Sequence, residues 1–180
     1  SEIGTYVNAL TVAGDRVFIG GHFQTIQNGT NTADLSSFVV VHNVVEWDST
    51  NDQWSYLGDA AQRGVTFNGY SGFSIDALTL ALVGDKLYVG GRFNQAGGLA
   101  ASNLARWDRG GGGGGGVNAS LGGLNDPDVR ALAAYGTNLF VGDKFTSARN
   151  APARYIARLD TQTDTWSTLG DGVKWYNDIY

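Results

Sequence analysis

The feature that most constrains this chain is a pattern that occurs three times. Val7-Asn8-Ala9-Leu10, Ile75-Asp76-Ala77-Leu78 and Val129-Arg130-Ala131-Leu132 each lead into a glycine-containing turn, at Gly14-Asp15, Gly84-Asp85 and Gly136-Thr137-Asn138. A strongly β-prone run follows each turn: Val17 to Phe23, Leu87 to Phe93 and Leu139 to Phe145. A third segment recurs as Val44-Val45-Glu46-Trp47-Asp48, Leu104-Ala105-Arg106-Trp107-Asp108 and Ile156-Ala157-Arg158-Leu159-Asp160. A closing segment is clear in Gln53 to Gly58 and Thr165 to Gly170. Each unit therefore predicts four strands of four to seven residues joined by turns.

Measured at Val7, Ile75 and Val129, the units are 68 and then 54 residues apart. Phe93 to Trp107 and Phe145 to Leu159 are both 14 residues, whereas Phe23 to Trp47 is 24. Unit one thus carries an insertion near Gln24 to Ser37, and a second follows Leu57, around Ala60 to Ser74. Without them the period falls to about 50, the size of one propeller blade. The expected fold is all-β: a β-propeller built of four-stranded antiparallel blades, three of them present. Residues 1–74 form blade one, 75–128 blade two, and 129–180 blade three with the start of the next repeat. A β-sandwich also uses many short strands but does not require the same quartet three times. No window shows the periodicity of a ten-residue helix, which disfavours a parallel α/β fold.

Composition agrees. Gly supplies 27 of 180 residues and Pro only 2, and aromatic residues reach 12%. Charged residues are 16%, against about 25% in an ordinary soluble domain. The net charge of −5 argues against a nucleic-acid partner and offers no basic anchor for an anionic membrane. No apolar run approaches the length of a spanning helix. Cysteine is absent, which excludes disulfides, zinc-thiolate sites and thiol nucleophiles. Methionine is absent too, so Ser1 is not a translation start. The repeat starts and stops in the same phase, and an excerpt of a longer polypeptide is expected.

The recurring residues have structural roles to fill. Gly20-Gly21 and Gly90-Gly91 lie inside strands, where glycine weakens pairing unless a neighbour needs the space. Crowding of inner strands between blades supplies that need, and no following helix supports a phosphate-binding loop. Phe23, Phe93 and Phe145 are expected to pack between sheets. So are Trp47, Trp107 and Leu159 at one position, and Trp54 and Trp166 at another. Trp175 and Tyr176 lie outside the pattern and are candidate surface contacts. Asp48, Asp108 and Asp160 close the third strands, where a carboxylate accepts backbone N–H groups of the next turn. The sharper alternative is calcium, for which Asp48 with Asp52, and Asp160 with Asp164, have loop-like spacing. The calcium-loop glycine and its acidic pattern are missing, so no cofactor is assigned.

Leu87-Tyr88-Val89-Gly90-Gly91-Arg92-Phe93-Asn94-Gln95-Ala96-Gly97-Gly98, followed by Ser102 to Asp108, resembles the repeat of kelch-like propellers. These occur in secreted and cell-surface proteins of bacteria, algae and fungi, including fungal cortical markers. The resemblance spans almost the whole chain and implies a fold far more than an activity. Unit two departs from it. Seven consecutive glycines, Gly110 to Gly116, precede the closing strand, and Asn118 falls where Trp is expected. That run is either a flexible glycine loop or, the reading we favour, a stand-in for unidentified side chains. Three blades also leave two open sheet edges, where propellers close with roughly four to eight blades.

Catalytic chemistry finds little support. His22 and His42 are the only histidines; His22 aligns with Arg92 and Lys144, which suggests a solvated basic position. No Ser-His-Asp set assembles, and no carboxylate pair stands out among the 17 acidic residues. The copper site of galactose oxidase, a kelch relative, needs a cysteine. Two N-glycosylation sequons begin at Asn28 and Asn118. With the low charge and the family resemblance, they point to an extracellular or cell-surface location. The expected role is a non-enzymatic structural or protein-interaction module of an appendage, filament or wall. Its partners would be other chains or copies of itself, with glycans as a further class. A carbohydrate-binding or carbohydrate-acting propeller and an intracellular kelch adaptor are the alternatives.

Overall fold

The computed structural model describes residues 5–28, 35–58, 61–68, 75–109, 117–118, 121, 124, 128–149 and 151–174. Among these there is no α-helix, only a single 3₁₀ turn at Leu35–Ser37. Unit one contributes strands β1 (Tyr6–Ala13), β2 (Arg16–His22), β3 (Thr25–Gln27), β4 (Phe38–Val40), β5 (Val44–Asp48) and β6 (Gln53–Tyr56). A short β7 (Val65–Thr66) follows. Unit two gives β8 (Asp76–Val83), β9 (Lys86–Arg92), β10 (Gln95–Ala96), β11 (Leu99–Ala100), β12 (Leu104–Asp108) and β13 (Val117–Asn118). Unit three gives β14 (Ala131–Tyr135), β15 (Asn138–Gly142), β16 (Ser147–Ala148), β17 (Ala151–Pro152), β18 (Ile156–Asp160) and β19 (Thr165–Thr168).

The protein is all-β. Three four-stranded sheets run β1-β2-β5-β6, β8-β9-β12-β13 and β14-β15-β18-β19, each drawn from one contiguous segment. Every neighbouring pair is antiparallel. The repeat is richer than a quartet. Between its second and third long strands each unit inserts a small hairpin: β3-β4, β10-β11 or β16-β17. The extra residues of unit one lie in the connection of that hairpin, and the hairpin itself is common to all three. Nor is the insertion after Leu57 a free loop. Its β7 adds to the hairpin of unit two through Val65↔Ala96, as Leu124 does to unit three through Ala148. The segment leaving one sheet thus clasps the next unit.

Two alignments drawn from the sequence need correction. Ala9 pairs with Gly20, Thr79 with Gly90 and Ala131 with Gly142. The partner of Val7 in unit two is therefore Ala77, two residues beyond the expected Ile75. A slip of two leaves every side chain on its own face, so alternation alone does not detect it. Likewise Val117, and not Asn118, pairs with Trp107 as Trp54 pairs with Trp47 and Trp166 with Leu159. Of the closing strand β13, Val117 and Asn118 are the described residues.

Direct pairing also defines two faces on each sheet. We call leading the face that carries Leu10, Val12, Ile19, Val45 and Trp47 in the first sheet. Its counterpart carries Leu80, Leu82, Val89, Ala105 and Trp107 in the middle sheet, and Leu132, Val141, Ala157 and Leu159 in the third. The opposite, trailing face carries Phe18, Tyr88 and Phe140. The middle sheet buries its leading face against Phe18 and Val44 of the first sheet's trailing face. Its own trailing face, with Tyr88, Ala81 and Leu104, is covered by the leading face of the third sheet. One type of interface is therefore made twice, in the same sense. Fully burying one such apolar side chain is worth about 1.5–3 kcal/mol.

Both members of each glycine pair have a steric reason, and the reasons differ. A Cβ on Gly20 would lie 3.2 Å from Ala77 Cβ, and one on Gly90 would lie 2.6 Å from Val129 Cγ1, each in the next unit. A Cβ on Gly21 or Gly91 would instead strike the Tyr6 or Asp76 carbonyl of its own sheet. There β1 and β8 carry an irregular register, between Val7 and Ala9 and between Ala77 and Thr79. In unit three Asp143 replaces the second glycine, and the β14-β15 pairing starts only at Gly142.

Candidate functional site

The recurring polar positions converge at one end of the first strands. His22, Arg92 and Lys144 each lie two residues beyond the space-making glycine of their second strand. Tyr6, Asp76 and Asp128 each lie three residues before its partner in the first strand. His22 Nδ1 approaches Asp76 Oδ1 at 2.9 Å and the Ile75 carbonyl at 3.0 Å. Both partners only accept, so Nδ1 carries the proton and donates. The Tyr6 ring stacks on the imidazole at 5.4 Å, and its hydroxyl donates to Asp76 Oδ1.

In the next unit Arg92 grips Asp128 with two bonds, Nε to Oδ1 at 2.6 Å and Nη2 to Oδ2 at 2.7 Å. Arg130 adds a third to Asp128 Oδ2. This fork holds the Asp128 carboxyl below the ordinary carboxylate range and raises the Arg92 guanidinium. The expectation of a solvated basic position is thus corrected for His22 and Arg92. Each bonds a buried aspartate of the following unit and ties two sheets together. Lys144 stands exposed at the third place in the row.

The other recurring residues fall as follows. Phe23, Phe93 and Phe145 are buried, in three different clusters. Trp107 is fully buried between sheets, while Trp47 and Trp54 are half-buried on the first sheet's leading face. Asp48 Oδ1 accepts from the Thr50 and Asn51 amides, and Asp160 Oδ1 from those of Gln162 and Thr163. The Asn51 side-chain amide, then these backbone bonds and Arg16, lower the Asp48 pKa; the Gln162 and Thr163 amides do so for Asp160. Asp108 lies 3.4 Å from Arg106 Nε.

The acidic pairs with calcium-like spacing are split between partners. Asp52 accepts from the Trp47 indole, and Asp164 from Arg106 Nη1 at 2.7 Å. Among the described residues no three His or acidic side chains group as metal ligands would. His42 is half-buried, which lowers its pKa, and its backbone carbonyl accepts from the Val44 and Val65 amides. Asn28 is engaged through both amide atoms with the backbone of Trp54, so a glycan there would cost two hydrogen bonds. Asn118 pairs in β13 opposite Arg106. Trp175 and Tyr176 lie outside the described residues, as does the glycine run Gly110–Gly116.

Sequence reasoning missed two sets of residues. Asp128 was not singled out, although its spacing from the third repeat matches that of Asp76 once the register is corrected. Asn43 and Asn103 were passed over as well. Both adopt left-handed backbone, φ 64°, just before the third long strand, and their Oδ1 atoms accept the buried amides of Phe23 and Phe93. Asparagine tolerates this region better than most side chains. In unit three Tyr155 takes the same conformation, φ 66°.

The two outermost faces complete the site. On the first sheet's leading face Leu10 is 63% and Val12 62% exposed, where Leu80, the middle-sheet counterpart of Leu10, is 8% exposed and Leu82, that of Val12, is half-buried. On the third sheet's trailing face Tyr135 and Arg158 are exposed and Phe140 is half-buried, whereas Phe18 and Tyr88 at the matching position are fully buried. No protein-family model matches the chain, and no curated protein matches it.

Proposed function

We propose that the three sheets are blades of a kelch-like β-propeller, and that the chain is a non-enzymatic structural and protein-interaction module of an extracellular or cell-surface assembly. One observation carries this reading. The leading-on-trailing interface is made twice inside the chain, and one unused half of it is displayed at each outer sheet. A module with two apolar faces of complementary kind is suited to packing against further sheets. The first strands β1, β8 and β14 also stand side by side, with β8 between the others, as strands nearest a shared axis do.

Fractionating source cells with an antiserum to the chain tests the location. The polypeptide is expected in the wall or appendage fraction, and confinement to the cytosol would overturn it. Electron cryo-microscopy of the isolated assembly tests the architecture: four-stranded sheets radiating from a centre are expected, and two facing layers would refute the propeller. A second reading, carbohydrate binding, rests on Trp47, Trp54 and Tyr56, which share the half-open leading face of the first sheet. Glycan-array binding lost in Trp54→Ala would favour it.

A further inference from the structure

We infer that the small hairpin of unit three, β16-β17, is a latch that opens while its sheet stays folded, and that Tyr155 sets how readily it opens. The backbone at the base of the hairpin is the same in all three units. The Asn43, Asn103 and Tyr155 amides donate to the Phe23, Phe93 and Phe145 carbonyls at 3.0, 3.0 and 2.9 Å. Their own carbonyls accept from the Gly21, Gly91 and Asp143 amides at 2.9, 3.0 and 3.1 Å. One step further out, Val41, Ala101 and Ala153 donate to the Gln24, Asn94 and Thr146 carbonyls. All three base residues have left-handed backbone, φ 64°, 64° and 66°.

The side chain is the difference. Asn43 Oδ1 accepts from the Phe23 amide at 3.1 Å, and Asn103 Oδ1 from the Phe93 amide at 3.2 Å. Asn43 Nδ2 also donates to the Val65 carbonyl, which ties the first hairpin to the clasp. Tyrosine carries its one polar side-chain atom at the far end of a ring. Among the described residues the Phe145 amide finds no acceptor. Phe145 is 1% exposed, so bulk water does not take the place of the missing oxygen. Tyrosine also tolerates left-handed backbone less well than asparagine. Both defects weigh on the closed state alone, because opening hydrates the amide and frees the backbone. The open and closed states of β16-β17 therefore lie closer in free energy than those of the other two hairpins. Opening uncovers Phe145, Ala148 and Ala153, which belong to the core between the middle and third sheets. The third sheet is held by its own pairings, β14-β15, β15-β18 and β18-β19.

Hydrogen exchange resolved at single amides, corrected for intrinsic rates, tests the latch in the unaltered chain. The Ala153 and Tyr155 amides should exchange at least about tenfold faster than their unit-two counterparts Ala101 and Asn103, while the amides of the central strand β15 stay protected. Equal protection of the two hairpins overturns the inference. Urea separates local from global opening. Ala153 exchange should depend weakly on urea, as an opening that exposes little surface does. A dependence as steep as that of β15 means that hairpin and sheet open together, and it overturns the latch. Exchange of asparagine and tyrosine between units assigns the cause. Tyr155→Asn should slow Ala153 exchange at least about tenfold and leave Ala101 unchanged. Asn103→Tyr should carry the fast exchange over to Ala101. Tyr155→Asn restores the residue type of the other two units, so it decides the matter even where Asn103→Tyr fails to fold. Ala153 exchange that Tyr155→Asn leaves as fast as before overturns the role of Tyr155.

Discussion

Strands β1 and β8 hold the same place in consecutive units and have nearly the same apolar content, YVNALTVA against DALTLALV. Their surroundings are opposite. β8 is covered by sheets on both sides, whereas the leading side of β1 faces outward. The difference teaches that apolar alternation here encodes an interface, and that the chain fills the interface only where a following or preceding sheet exists. Leu80 is core and Leu10 is surface although both face the same way. An isolated domain would be expected to blunt such a face with charge, as edge strands are blunted. This chain places Leu10, Val12 and Val17 there instead.

The sharpest way to break the comparison is to remove the matched tryptophans. Trp107→Ala opens a cavity in a fully covered face and should cost about 3–5 kcal/mol in urea unfolding. Trp47→Ala, on the half-open face, should cost less than half of that in dilute solution. Equal costs would mean that the first sheet is as well covered as the middle one.

A smaller effect is expected from the space-making glycines. In Gly90→Ala the new Cβ meets Val129 Cγ1 at 2.6 Å and Thr79 Cγ2 at 2.7 Å, both branched side chains with little freedom to yield. Overpacking of this kind costs about 1–3 kcal/mol. Gly20→Ala meets Ala77 Cβ at 3.2 Å and Leu80 Cγ at 3.3 Å, contacts that a shift of a few tenths of an ångström relieves. Its cost should be the lesser of the two in thermal melts. A larger loss at Gly20 would show the first interface to be the tighter one.

The four long strands of each unit were legible because turn glycines and alternating apolar runs bracket them. The sheet assignments of Gly20, Phe93 and Trp107 followed. The small hairpins were not legible: β10, β11, β16 and β17 have two residues each, too short to show alternation. The charged row was hidden for another reason. His22, Arg92 and Lys144 are basic residue types that invite a surface role, while Asp76 and Asp128, which bond His22 and Arg92, belong to the following unit. The two matched tryptophans also differ at the indole nitrogen of Trp107. Its Nε1 has no partner among the described residues, where the matching Trp47 donates to Asp52.

The ion-pair row offers the last and smallest contrast. Asp128 is buried and held ionised by Arg92, so its folded pKa is depressed relative to the unfolded chain. A depressed carboxylate contributes stability that is complete above its unfolded pKa and lost as pH falls through its folded one. Urea midpoints of the unaltered chain should therefore decline below about pH 4. Asp128→Asn should remove about 1–2 kcal/mol at neutral pH, within the range for a buried hydrogen-bonded group, and flatten that acid decline. Lys144→Ala removes the same kind of cation at the row's third place, where the side chain is exposed. Its effect should stay within about 0.5 kcal/mol at every pH in dilute solution. A Lys144 effect as large and as pH-dependent as that of Asp128 would show that the third sheet already has a neighbour.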